Sequence, residues 1–117
     1  MRCLEVAKGH LDRGSLPDAE EIMSLVPEGR RMLATELNNR SVAKLNSVYD
    51  TVMSFHRRRI DLNPAQRANF LPELLDAERL LIEAGRLDPG ETGIGENLEQ
   101  IRETMKMLRS GTGGTYR

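Results

Sequence analysis

The chain has 117 residues, 38% apolar and 30% charged, with a formal net charge of −1. That is enough for one core without disulfides or metal, and the lone cysteine, Cys3, excludes a disulfide framework and zinc-ligand spacing. No apolar run approaches the roughly 20 residues of a membrane span and the start lacks a signal core, so the expectation is a cytoplasmic protein with no membrane partner.

Tryptophan is absent and the aromatics are Tyr49, Phe55, Phe70 and Tyr116. The core must therefore be aliphatic, which suits helix-on-helix packing better than a sandwich or barrel. A first helix is predicted from Arg2 to Asp12, with Leu4, Ala7 and Leu11 on one face and Gly14 as its stop. Pro17 and Asp18 open a second short helix through about Leu25. Pro27 marks the next start, ahead of Met32, Leu33 and Leu37, and Asn38 and Asn39 read as a turn or cap before the following helix.

That helix, Ser41–Arg59, carries Val42, Leu45, Val48, Tyr49, Val52 and Met53 at helical spacing. At 100° per residue, Lys44, Ser47, Thr51, Ser54 and Arg58 fall opposite them, with Arg40 extending the row. Asn63-Pro64 is an N-cap followed by proline at the first helical position. Pro72 should kink the next helix or begin a new one after Asn69, and Gly85 is the expected C-cap. Leu71, Leu74, Leu75, Leu81, Ile82 and Ala84 are its expected apolar face. Residues 87–95 read as a loop, and a last helix is expected from about Glu96 to Leu108, with Leu98, Ile101, Met105 and Leu108 on one face. The expectation is thus an all-α, compact bundle of five or six helices, one domain over 1–109, with a flexible Gly-rich tail over 110–117. Two partial helix–Gly–helix echoes, in residues 7–23 and 79–91, fall short of the three copies a solenoid needs.

Charge is unevenly distributed. Residues 30–59 hold seven basic side chains against two acidic, while both flanks are net acidic. Two readings follow: a surface for a polyanion, or a basic helix neutralised by acidic helices folded back on it. Catalysis is not expected. His10 and His56 are the only histidines, no orienting acid stands near Cys3, and the G-I-G of residues 93–95 follows no strand and precedes no P-loop lysine. No cofactor, metal or small-molecule substrate is implied. Scarce aromatics leave no base-stacking platform, so nucleic-acid binding would rest on phosphates. Arg40 to Arg58 spans about 27 Å of helix at 1.5 Å per residue, enough to track several phosphates. Arg57, Arg58 and Arg59 also read as a cationic turn complementing the helix dipole.

Two segments resemble a known family. Leu37–Leu45, LNNRSVAKL, resembles the L-T-T-S-x-x-R helix opening of the small α-helical subunit of type III-A CRISPR effector (Csm) complexes, with Ser41 at the serine and Lys44 at the arginine. FLPELLDAERLLIEAGR, residues 70–86, resembles that family's second signature, with Arg79 for its usual lysine and Ala84-Gly85-Arg86 as the closing motif. Asn38 and Asn39 depart from its threonines, Ile82 from its tyrosine, and the chain after Arg86 is shorter than the family's final helix. The resemblance covers residues 37–86. It implies a non-catalytic antiviral-defence subunit that packs against other protein subunits and supports guide–target RNA through Arg40, Lys44, Arg57, Arg58, Arg59, Arg79 and Arg86. The alternative is a helical protein–protein interaction module or inhibitor docking on an acidic partner surface.

Overall fold

The computed structural model describes residues 2–60 and 62–109. Five helices follow one another: α1 (Arg2–Asp12), α2 (Leu16–Met23), α3 (Gly29–Arg57), α4 (Pro64–Leu87) and α5 (Thr92–Arg109). No strand occurs among the described residues. The tail expected over 110–117, with Tyr116, lies outside them.

α1 buries Ala7 and rests Leu4 and Leu11 against the core. It stops before Gly14, whose φ of +78° a residue with a Cβ resists. α2 folds back on α1 and meets α3 through a tight elbow. A Cβ at Gly29 would sit 1.7 Å from the Met23 carbonyl oxygen, so only glycine lets α3 begin there. Glu28, just before it, takes a left-handed φ of 63°.

α3 runs unbroken through Asn38 and Asn39, which the sequence reading made a turn. Asparagine inside a helix costs only about 0.7 kcal/mol against alanine. Asn38 is also engaged there, its Oδ1 accepting from Asn97 Nδ2 of α5 at 3.0 Å. α4 opens as expected: Asn63 Oδ1 accepts the Gln66 N–H at 2.8 Å, and Gln66 Oε1 accepts the Asn63 N–H at 2.9 Å. Pro72 neither ends nor restarts this helix. Its missing N–H would have met the carbonyl of Ala68, and both residues are exposed, so water can take that carbonyl.

Gly85 is not the C-cap. α4 continues to Leu87, which is buried, and Asp88 caps it by donating its N–H to the Ala84 carbonyl at 2.9 Å. α5 begins at Thr92, four positions before the expected start, because Ile94 is drawn into the core. The loop shrinks to residues 88–91.

The core joins Leu37, Leu45, Val48 and Val52 of α3 to Leu74, Ala77, Leu81 and Ala84 of α4 and Ile101, Met105 and Leu108 of α5. α3 packs most extensively on α4, and α4 next on α5. Ser41 is fully buried in this cluster and donates its Oγ proton to the Ala77 carbonyl at 2.7 Å, so the hydroxyl is satisfied where the two helices meet. Leu75 and Ile82, expected inside, are 48% and 49% exposed. The inward face of α4 runs through 74, 77, 81 and 84, and a residue one position after an inward one is rotated about 100° away from it. The long α3–α4 hairpin gives the molecule its 53 × 27 × 18 Å shape.

Candidate nucleic-acid interface

The seven cations singled out from the sequence divide into two groups. Arg40 and Lys44 project from α3, and Arg79 and Arg86 from α4, into one groove of about 800 Å³ bordered by α1 and α2. Its floor is apolar, with Leu11, Leu16, Leu37 and Leu80. Arg57, Arg58 and Arg59 stand apart at the far end of α3, all exposed. Thirteen positions separate Lys44 from Arg57, roughly 20 Å of helix.

Every cation in the groove has a carboxylate partner. Arg40 Nη1 lies 2.8 Å from Asp12 Oδ1 and its Nε 2.8 Å from Glu36 Oε2. Lys44 Nζ lies 3.5 Å from Glu73 and 3.4 Å from Asp76. Arg79 pairs with Asp76. Arg86 grips Glu20 with two nitrogens, at 2.7 and 3.2 Å, and Glu83 through Nε at 2.9 Å. The groove walls carry Asp12, Glu20, Asp76 and Glu83 against the four cations, so their formal charge is zero.

This geometry corrects the expectation that Arg40 and Lys44 point away from the apolar stripe. Both are partly buried, and Ser41 between them is wholly buried. α3 is covered by α4 along much of its length and touched by α1 as well, so its polar flank meets acids of both neighbours instead of open water.

The electrostatics follow from the pairing. The hydrogen bond from Arg86 lowers the Glu20 carboxyl below its ordinary value; burial opposes this, and the charges of Arg86 and Arg30 assist. The bond from Arg79 lowers Asp76 in the same way, again against burial and with help from Lys44. Glu20 and Glu83 in turn raise the affinity of the Arg86 guanidinium for its proton. For Arg40, burial works against the charged form, but the bonds to Asp12 and Glu36 outweigh it. Carboxylates held this way are poor proton acceptors near neutral pH.

The end of α3 is different. Arg57 has no ion-pair partner among the described residues, and neither has Arg58. Arg58 Nε donates to the Ser54 carbonyl at 3.4 Å, completing the last turn, and its guanidinium lies 5.5 Å from the Phe55 ring centre. Arg59 follows with φ 56°. The helix-terminus role and an outward cationic surface are therefore both present in one turn.

Sequence reasoning missed the acids that complete the groove: Asp12, Glu20, Glu36, Glu73, Asp76 and Glu83. Glu36 lies in the basic middle itself; for the others the signal was the net-acidic composition of the two flanks, which fixes no pairing. Among the described residues no group of three or more His, Cys, Asp and Glu is placed to hold a metal ion, and no helix is long and apolar enough to cross a membrane. His10 Nδ1 lies 3.0 Å from an Arg13 nitrogen, outside the groove. No family model matches the chain, and neither a curated protein nor a solved structure matches it.

Proposed function

We propose that this chain is a non-catalytic helical subunit of a ribonucleoprotein effector complex of the type III CRISPR kind, supporting guide or target RNA through its cations. One observation carries the reading. Arg40 and Lys44 come from one of the two segments that resemble the family, Arg79 and Arg86 from the other, and all four line a single groove. Two stretches separated by 24 residues of sequence contribute to one surface, and the buried Ser41–Ala77 hydrogen bond ties them together.

In this reading a phosphate oxygen takes the place of a carboxylate oxygen on a guanidinium, a like-for-like exchange that preserves bidentate geometry. The ion pairs of the exposed Arg79 and Arg86 hold only about 0–1 kcal/mol each, so releasing them costs little. The displaced carboxylates stay nearby and repel the phosphates, which keeps the free chain a weak binder. Neighbouring subunits that hold RNA over the groove supply the missing affinity through effective concentration. Arg57 and Arg58, without carboxylate competitors among the described residues, make the first contact.

A second reading has its own support. A groove of zero formal charge with a leucine floor also suits an amphipathic protein segment, in line with a protein–protein interaction module though not with docking on an acidic surface. Titrating RNA of unrelated sequences at several salt concentrations separates the two. The RNA reading expects sequence-independent binding that falls steeply with salt, both in the free chain and in a reconstituted complex. Replacing Arg40, Lys44, Arg79 and Arg86 together with glutamine should then weaken binding and flatten the slope. Unchanged affinity and slope in both settings would hand the groove to a protein ligand.

A further inference from the structure

α1 and α2 form an arm on the bundle. They pack on each other and on α3, and neither packs on α4. The groove lies between, bridged by Arg86 of α4, which donates hydrogen bonds of 2.7 and 3.2 Å to Glu20 of α2. On the α3 side, Arg40 reaches Asp12 at 2.8 Å, and longer ion pairs join Lys8 to Glu36 and Arg30 to Glu20. The arm's fully buried apolar residues are two small ones, Ala7 and Ala19, and Met23 beside the elbow. Leu11 and Leu16, at the groove, are only partly buried. Charge therefore supplies much of what holds the outer part of the arm in place.

The elbow, residues 24–28, consists of turns, with Leu25 76% exposed and Glu28 in the left-handed conformation that a residue with a Cβ resists. The acids the arm carries stand where a ligand would. Asp12 and Glu20 present carboxylate oxygens to Arg40 and Arg86 at the distances a phosphate oxygen would take. Glu36, Glu73, Asp76 and Glu83 belong to α3 and α4 themselves and stay with the groove whatever the arm does. We propose that α1–α2 is an autoinhibitory strap: Asp12 and Glu20 hold Arg40 and Arg86 in the free chain, and the strap swings out about residues 24–28 when an RNA backbone takes those two cations. The choice of ligand rests on the RNA reading of the groove; the hinge does not. Binding and opening are linked, so whatever opens the strap also tightens RNA.

Pulsed electron spin resonance between labels at Glu21→Cys on α2 and Leu75→Cys on α4, both exposed, reads the strap directly in a Cys3→Ser background. Raising salt from about 0.1 to about 1 M cuts the screening length from about 10 to about 3 Å, so a longer distance should appear without any RNA. Asp12→Asn with Glu20→Gln should populate that distance at low salt, and polyuridylate should do so with both acids in place. The same pair of substitutions, without labels, should tighten polyuridylate about tenfold. Asp18→Asn with Glu21→Gln removes the same charge from α2 outside the groove, and should change affinity less than about twofold. A distance unchanged by salt and by the Asp12–Glu20 pair overturns the strap, whatever RNA does. Equal tightening by the two pairs assigns the gain to net charge and overturns the autoinhibition. A strap that opens with salt, while polyuridylate neither lengthens the distance nor prefers the Asp12–Glu20 variant, overturns the RNA reading of the groove and the autoinhibition with it.

Discussion

The groove and the far end of α3 hold the same kinds of side chain on the same helix, yet differ in what surrounds them. Arg40 and Lys44 are partly buried beside acids from α1 and α4, whereas Arg57 and Arg58 meet no carboxylate among the described residues. A cation's usefulness to an outside anion depends less on its own charge than on the competitors already within reach. The groove offers more cations and an apolar floor; the helix end offers Arg57 and Arg58, with no carboxylate beside either among the described residues. In the proposed reading, fast, weak encounter falls to the end and shape-dependent holding to the groove.

The largest effects come from breaking the frame that creates the groove. Leu81 is fully buried between the helices, and Leu81→Ala should cost about 2–5 kcal/mol in chemical denaturation. Leu75→Ala, one turn and a half away on the outer face, should cost under about 1 kcal/mol when measured at dilution. Equal losses would mean that the inner and outer faces of α4 have been assigned wrongly. Gly29→Ala attacks the elbow that swings α2 over the groove. Its Cβ would collide with the Met23 carbonyl, so a loss of about 1–3 kcal/mol is expected from overpacking.

A smaller effect separates the two cation groups directly. Neutralising groove acids by Asp76→Asn and Glu83→Gln should strengthen RNA binding about tenfold, because it removes both the competitor and the repulsion. A fall or no change would show that the groove cations never reach phosphate. At the helix end the change has the opposite sign. Arg57→Gln with Arg58→Gln should weaken binding and reduce the slope of log affinity against log salt by about 0.7 per lost contact on single strands. Stability should hardly move, apart from the lost contact between Arg58 and the last turn.

Much of the fold was legible because local rules and burial agreed. The Asn63-Pro64 N-cap and the Gly14 stop fell where expected, and the aliphatic spacings of α3 and α5 marked real helices, although Ser41–Arg57 proved continuous with the segment before it and α5 began four positions early. Errors arose where tertiary packing overrode a local signal. Asn38 could turn the chain, but Asn97 occupies it within a helix. Gly85 could end α4, but Leu87 is needed in the core. The site was legible only in part. The cations could be found by residue type and helical spacing, but their partners lie up to 66 positions away, as Arg86 and Glu20 do. No helical wheel reaches that far. Leu75 and Ile82 misled for a related reason: an apolar residue on an amphipathic helix has two faces available, and sequence alone does not say which one the protein itself covers.

The smallest effect is with pH, and it moves stability and binding in opposite directions. Arg86 and Arg79 lower the folded-state pKa of Glu20 and Asp76 below their ordinary values of 4.5 and 3.8. A depressed carboxyl pKa adds stability that is complete above the unfolded value and disappears as pH falls through the folded one. Stability should therefore stay level from neutral pH to about 5 and decline below about 4. Solvent screens both pairs, so each contributes less than about 1 kcal/mol. Binding should run the other way in that same window. As Glu20 and Asp76 take up protons, Arg86 loses Glu20 and keeps only Glu83, and Arg79 loses Asp76, while phosphodiesters keep their charge. Polyuridylate is the suitable probe, because its bases do not take up protons there. Its affinity for the wild-type chain should rise as pH drops below about 4 by more than it does for a chain carrying Arg79→Gln and Arg86→Gln. That difference isolates the groove from the general gain in positive charge, which both chains share. Parallel curves for the two would leave the end of α3 as the whole of the RNA surface.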